Sequence, residues 1–318
     1  MNFFTILSQL EEVDPEVYDR LDSRRAVFKH MSGLGQKLTA AALPLVIGAV
    51  FNKAYAQTPV SATVADVLNF ALKLEYLESY FYQQRTALTG LSARHTTALA
   101  QIATDETKHI NFLRATIAAL GATPIADPTV ATFDYSAAGR FADWRTNPAT
   151  YLALAQSFED LGVRAYKGAA PLPAVMANKT VLTAALSIHA VEARHASHLR
   201  EMRRAGVAST TPSQGIPVSP YNVAPKSWIS GIDNGGAVPS ITIPIYGAGN
   251  TTNAPNNVTF PAEDNVTQGG ITLSTSTSAS FTGFPASAFS EAFDEGLDMG
   301  TVSAIAKLFV IPNSTLFN

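Results

Sequence analysis

The chain has no cysteine in 318 residues. That removes disulfides, thiol catalysis, zinc–thiolate sites and iron–sulfur clusters together, so any metal must be held by histidine and carboxylate. Charge is scarce as well: 15% of residues are charged and the formal net charge is −3. There is no basic tail and no basic stripe with interleaved aromatics, which argues against a nucleic-acid partner. A membrane-length apolar run is also lacking. The stretch LTAAALPLVIGAVF (38–51) has 14 residues, against about 20 for a span. What is present is 47% apolar residues, enough to build a core for one large domain or two ordinary ones and too many for wholesale disorder.

Residues 23–29, SRRAVFK, precede that apolar stretch, and AYAQ (54–57) follows it. Paired arginines, a short apolar run and small residues before a cut have the order of an export signal. The paired arginines resemble the twin-arginine signal, which exports proteins already folded. The expectation is cleavage after Ala56, export to the periplasm or beyond, and no stable membrane span afterwards. Residues 1–56 are therefore assigned to an N-terminal extension and signal. The first 22 residues hold six acids and one arginine, and no physical account of them is evident.

Residues 57–206 carry the periodicity of four helices. The first, 61–90, opens with Ser and Thr cap candidates and closes at Gly90, and the second, 92–121, runs from Ser92 to Gly121. The third, 147–168, begins with Asn and Pro and stops at Gly168; the fourth, from about 174 to 205, ends at Gly206. Short links pair the first helix with the second and the third with the fourth as antiparallel hairpins. The aperiodic stretch 122–146 is too long for a local connection; it fits a crossover running the length of a four-helix bundle. Residues 207–318 form a different region, rich in Ser, Thr, Gly, Asn and Pro up to 284. Short strands are expected at 240–246, 256–260 and 270–276, and one last helix within 289–310. Its seven acids and two lysines read as a solvated surface. The fold class expected is mainly α, with a polar, β-containing extension and a short final helix.

Two stretches stand out inside the apolar helices. DETKHINF (105–112) and VEARHASH (191–198) each place a glutamate and a histidine three residues apart: Glu106 with His109, and Glu192 with His195. Such a pair lies about 60° apart on a helix and one turn along, so both can reach one metal or neighbouring metals. The other two helices hold Glu75 with Tyr82 and Glu159 with Tyr166, each tyrosine seven residues on and on the same face as its glutamate. Within the two halves the glutamates are spaced 31 and 33 residues apart, a two-fold pseudo-repeat of a helical hairpin. Four buried carboxylates cost several kcal/mol each if ionised and unpaired. Two neutral histidines do not relieve that, whereas two divalent cations do; carboxylate and imidazole suit iron or manganese. Glu78, one turn past Glu75, is an alternative ligand, with the tyrosine spacing favouring Glu75. Asp105 is either an acceptor for the free N–H of a ligand histidine or a solvent-facing acid. His189 and His198 point away from the motif toward solvent or an interface. Tyr82 and Tyr166 are either neighbours of the metals or ordinary core tyrosines, and Lys108 and Arg194 face outward.

The pattern resembles the ferritin-like di-metal carboxylate superfamily, in which two helices each give a Glu and two each give Glu-x-x-His. More narrowly, LNFALKLEYLESYFY (68–82), FEDLGVRAYKGAA (158–170), HAVEARHASHLR (189–200) and AFDEGLDMGTVSAIAKLFV (292–310) resemble exported ferritin-like proteins labelled desiccation-related. The resemblance implies that Glu106 and Glu192 bridge two metals while Glu75 and Glu159 each bind one. It also implies two iron or manganese ions, or one of each, and redox chemistry with O2 or peroxide. The function expected is ferroxidase or peroxide-detoxifying chemistry in stress protection. Two alternatives stand beside it: iron storage, or a non-enzymatic envelope protein whose metal is structural and whose extension binds a surface or protein partner. A homo-oligomer is compatible with each.

Overall fold

The computed structural model describes residues 62–213, 225–231, 239–250, 260–275 and 283–318. The export signal lies outside them, as does all but the last residue of the strand expected at 256–260. Helix α1 (Val64–Gln83) starts at Thr63, whose hydroxyl accepts from the Asp66 N–H while the Asp66 carboxylate accepts from the Thr63 N–H. This capping box satisfies two otherwise orphaned donors. Helix α2 (Ala93–Ala119) is capped by Ser92, and α3 (Pro148–Ala169) by Asn147 with proline at its first position. The fourth helix differs from the single run expected from about 174. A short α4 (Pro173–Ala177) ends at Asn178, which is extended and uses its side chain to cap α5 (Lys179–Ala205). An asparagine that bonds the next turn's N–H competes with helix continuation, and here it starts a new helix.

Tyr82 on α1 meets Glu159 on α3, and Glu75 meets Tyr166. Rising numbers on one helix therefore face falling numbers on the other, so α1 and α3 are antiparallel. Since α1 is antiparallel to α2 as well, α2 and α3 run the same way, and the chain between them must travel the length of the bundle. It does so as a packed strap. Phe133, Tyr135 and Phe141 are buried, and the Tyr135 hydroxyl donates to the Leu77 carbonyl at 2.7 Å. Tyr135 and Trp144 of the strap pack on Phe81 of α1, which also meets Tyr151 and Phe158 of α3. The C-terminal segment clips onto this strap: the Asp134 N–H donates to Phe309 at 2.9 Å, and the Ile311 N–H to Thr132 at 3.0 Å.

Three readings of the C-terminal region need correction. The strand expected at 240–246 is helix α6 (Pro239–Tyr246). A short apolar run has no decisive period, and this one is fixed from outside, by bonds to the Ile245 and Gly247 carbonyls and to the Tyr246 hydroxyl. The strand expected at 270–276 is reduced to a two-residue β2 (Ile271–Thr272), paired antiparallel with β1 (Thr267–Gln268) across Gly269 and Gly270, both at positive φ. Residues 264–293 hold this hairpin and helix α7 (Ala286–Ser290), with Leu273, Ala288, Phe289 and Ala292 forming a small core of their own. The expected last helix is α8 (Met299–Ala306), capped by Asp298. Third, the acids here are not uniformly solvated. Glu263 is 2% exposed and Glu295 8%.

Arg164 of α3 explains why. It is fully buried, and its guanidinium donates to the carbonyls of Ile245, Gly247 (2.8 Å), Pro261 (2.8 Å), Glu295 (3.0 Å) and Gly296 (3.2 Å). Its Nε lies 2.8 Å from Glu263 Oε1. One side chain thus ties three separate segments to the bundle. Burial pushes the Glu263 carboxyl up to about 8 even with the guanidinium beside it. Gly168, expected to stop the third helix, is inside it. A Cβ there would lie 1.9 Å from the Leu297 carbonyl oxygen, so glycine is required for the 295–297 backbone to lie against α3.

Arg164→Met should lower stability by about 3–5 kcal/mol, because it leaves five carbonyls and the buried Glu263 carboxyl without their donor. Arg164→Lys should recover less than half, since an ammonium cannot replicate a planar fork serving six acceptors. Denaturant midpoints of the two variants check this; equal stabilities for wild type and Arg164→Met would refute the anchoring role.

Candidate metal centre

Each bundle helix delivers its part of the expected constellation mid-length, where the neighbouring turns are apolar. Glu75 on α1, Glu106 and His109 on α2, Glu159 on α3, and Glu192 and His195 on α5 are all buried, the four glutamates at 0–1% exposure and the two histidines at 8% and 7%. They form two overlapping donor groups. Glu75, Glu106, His109 and Glu192 offer one ligand atom each within 4.8 Å of one another; so do Glu106, Glu159, Glu192 and His195. Glu106 and Glu192 are common to both, one from each Glu-x-x-His pair. Both histidines turn Nδ1 inward. His109 Nδ1 is 3.1 Å from Glu75 Oε2, 3.2 Å from Glu106 Oε2 and 3.4 Å from Glu192 Oε1. His195 Nδ1 is 3.1 Å from Glu106 Oε1 and 3.2 Å from Glu159 Oε2.

The tyrosines cross the pseudo-two-fold. Tyr82, which shares a helix with Glu75, donates instead to Glu159; Tyr166, which shares a helix with Glu159, donates to Glu75. Seven residues span about 10 Å of helix, too far for a tyrosine to reach its own glutamate. In antiparallel helices the same offset places each tyrosine opposite the other's glutamate. Burial first, then the carboxylate it serves, pushes each hydroxyl well above the usual tyrosine range, so both remain neutral donors.

Glu78 is the fifth carboxylate here. It is buried, but it belongs to neither donor group. Burial and then the charges of Glu159, Glu106 and Glu75 push its carboxyl well up. Glu192 is raised by burial and by Glu78, Glu106, Glu159 and Glu75. Glu106 is raised by burial against the pull of both histidines. The histidines move the other way from what burial alone would do. The glutamates' hydrogen bonds and charges overcome it, and push His109 up to about 10 and His195 up to about 11. Sequence reasoning treated both as neutral bystanders to the charge problem; without metal they are cationic and relieve part of it.

The remaining expectations resolve as follows. Asp105 accepts from Gln101 and Lys108 and lies 3.6 Å from His195 Nε2, the outward nitrogen. His189 bonds the Val163 carbonyl at 2.9 Å, and His198 lies in neither donor group. Lys108 and Arg194 are exposed. Two features were missed. Gly162 makes room for a ligand candidate: a Cβ there would sit 2.6 Å from Glu192 Oε2. An isolated glycine in mid-helix is the signal that could have found it. Asp160 is fully buried beside Glu159, where it accepts from Arg200 (2.5 Å) and Tyr246 (2.7 Å) and so faces away from the donor groups. An Asp next to a Glu in sequence gave no hint of that division.

A model of the ferritin-like domain family matches residues 63–205, which is the helical bundle from the cap of α1 to the last residue of α5. The bundle is ferritin-like in fold. No curated protein and no solved structure matches the chain. The donor set also passes a test independent of fold. Glu192 Oε2 is buried with no hydrogen-bond partner among the described residues, and Glu192 Oε1 and Glu106 Oε1 have only a histidine Nδ1 at 3.4 and 3.1 Å, without hydrogen-bond geometry. A buried carboxylate oxygen without a donor is costly. A pair of divalent cations between the two groups would supply what these oxygens lack, and the site is compatible with one.

Metal must displace protons here. At pH 7 both histidines carry a proton that a ligand Nδ1 cannot keep. Binding of two divalent ions should therefore release at least two protons, and apparent affinity should fall about tenfold per released proton for each pH unit lost. Calorimetry in two buffers of different ionisation enthalpy measures the number; no net release would refute the assignment of the histidines. Gly162→Ala should weaken metal binding at least tenfold with helicity retained, read by metal titration beside circular dichroism.

Proposed function

We propose that this is an exported ferritin-like protein of the desiccation-related branch, holding a di-iron or di-manganese centre that reacts with O2 or peroxide. The observation that carries the reading is the pair of donor groups sharing Glu106 and Glu192. Glu106 and Glu192 would bridge the two ions, Glu75 and His109 would complete one position, and Glu159 and His195 the other. Two such ions, each changing oxidation state by one electron, supply the two electrons that reduce O2 to hydrogen peroxide or peroxide to water. The chain's own residues do the rest. Tyr82 and Tyr166 hold Glu159 and Glu75 through neutral hydroxyls and fix which oxygen remains free. Glu78, whose carboxyl is pushed well up by burial and by the neighbouring carboxylates, is placed to hold a proton beside the donor groups and return it. No further specificity pocket is needed for substrates this small.

Iron storage is favoured less by the same residues. Arg164 fastens backbone from the C-terminal region onto α3, whereas a storage cage packs bare bundles. The reading also places the protein in the periplasm or beyond, on the paired Arg24 and Arg25 ahead of the apolar run. No described helix is long and apolar enough to cross a membrane.

Metal analysis of the purified chain should return about two iron or manganese per molecule. Glu106→Ala and Glu192→Ala should each lose both ions, whereas Glu78→Ala should keep them. Retention of both ions in either of the first two variants would remove the bridging assignment. Oxygen release on adding peroxide, against ferrous iron oxidation under air, separates the two reactions. Replacing Arg24 and Arg25 by lysine should strand the precursor inside the cell; unchanged export would refute the twin-arginine route.

A further inference from the structure

The two halves of the donor cluster are alike in ligands and unlike in surroundings. Tyr82 sits beside Phe81, whose ring packs against Tyr135, Tyr151 and Phe158 at centroid distances of 4.3–5.2 Å. That half is filled by aromatic rings. Beside Tyr166 there is instead a cavity of ≈ 20 Å³ between α1, α3, α4 and α5. Its walls include Val67, Ala71 and Leu74 of α1, Ala165 of α3, and Val175 of α4. Every lining residue is apolar except Tyr166, whose hydroxyl is already committed to Glu75. Ala169 and Ala185, both half-buried, lie on its outer side. Ala71 stands one helical turn before Glu75, so the cavity runs along the same face of α1 as that ligand candidate.

We propose that this cavity is a binding site for a small apolar gas, with dioxygen as its occupant, feeding the Glu75 and His109 half of the centre. The proposal rests on the di-metal reading above and names its oxidant. Volume and lining decide the class. A space of about 20 Å³, little more than one water-sized sphere, suits a diatomic molecule better than an organic substrate. A wall without a free donor or acceptor offers water or hydrogen peroxide nothing in return for the hydrogen bonds each would lose. Closed apolar cavities stay dry and take xenon; this one is smaller and opens outward past the half-buried Ala169 and Ala185. Tyr166 closes the inner end: its ring lines the cavity and its hydroxyl holds Glu75, so one residue touches both gas and ligand. The aromatic packing around Phe81 leaves the Glu159 and His195 half without the same approach, which makes the two metal positions unequal in reactivity.

The test uses the full chain, with and without ferrous iron. Xenon is the probe for the site, followed by 129Xe NMR on the metal-free protein. Ala185→Leu is the filling variant, since leucine is well tolerated in a helix, and Ala71→Val is the second should the first fail to fold. Wild type should bind xenon, and the filled variant should lose at least tenfold in xenon affinity. In the iron-loaded protein the filled variant should be oxidised by dissolved O2 at least fivefold more slowly, and by hydrogen peroxide within twofold of wild type. Absence of xenon binding in wild type would overturn the proposal. So would equal O2 rates in wild type and a variant that no longer binds xenon, or O2 and peroxide rates falling together. Xenon binding by a chain that takes up no metal would keep the gas site and sink the di-metal reading, so the two failures are distinguishable.

Discussion

Five glutamates meet in the dry middle of one four-helix bundle, and the rest of the molecule is arranged around their mutual repulsion. Left ionised, each would cost several kcal/mol. The chain answers in three ways at once: two histidines are made cationic by the field, three carboxyls are raised toward protonation, and two tyrosines donate to the remaining pair. That is a metastable arrangement. Neither oxygen of Glu192 makes a well-formed hydrogen bond among the described residues, and the protons on His109, His195, Glu106 and Glu192 are the ones a cation could replace. Where protons stabilise a donor cluster, a cation competes with them for the same atoms.

A few residues away the same helix solves the opposite problem by direct pairing. Arg164 and Asp160 are both fully buried, yet neither takes part in the donor groups. Asp160 pairs with Arg200 and accepts from the Tyr246 hydroxyl, and Arg164 donates to Glu263 and a ring of carbonyls. Helix α3 therefore turns one face to the metal centre and another to the chain from α6 and from 261–263 and 295–297. Glu159 and Asp160, adjacent in sequence, fall on opposite sides of that division. Gly162 and Gly168 mark the two faces: one gives space to the Glu192 carboxylate and the other to the Leu297 backbone. The third helix has almost no exposed residue because both of its duties require close approach.

This explains what was legible in the sequence. The four bundle helices, their antiparallel pairing and the long crossover could be read from period, caps and loop length, since those are local signals. The meeting of the six side chains could be read as well, because a carboxylate or imidazole that projects inward from mid-helix stands where leucine is expected, and the Glu-x-x-His spacing puts both groups on one face. The C-terminal region was read poorly for the converse reason. Residues 239–246 are helical through bonds made by Arg164 and Asp160, far away in sequence, and the burial of Glu263 depends on the same arginine. Nothing in SITIPIY or AEDNVTQGG carries that information. Tyrosine partners were also out of reach, since the crossing of Tyr82 to Glu159 and Tyr166 to Glu75 follows from helix direction, which spacing within one helix cannot reveal.

The pseudo-repeat sets a limit on symmetry that the side chains then break. Two hairpins with the same Glu, Glu-x-x-His and Tyr plan produce two donor groups of the same composition, so their donors alone do not distinguish one half from the other. The difference comes from what was free to diverge around them. The strap 120–147 passes over one half and brings Tyr135 and Trp144 onto Phe81, so aromatic rings fill the space beside Tyr82. The link from α3 to α5 is short and is broken at Asn178. It brings only Val175 toward Tyr166 and leaves alanines where the strap supplied rings. Unequal connections between equal hairpins thus make one wall dense and the other hollow. A bundle built from two like halves acquires a preferred side because its two halves must be joined by a chain of one direction.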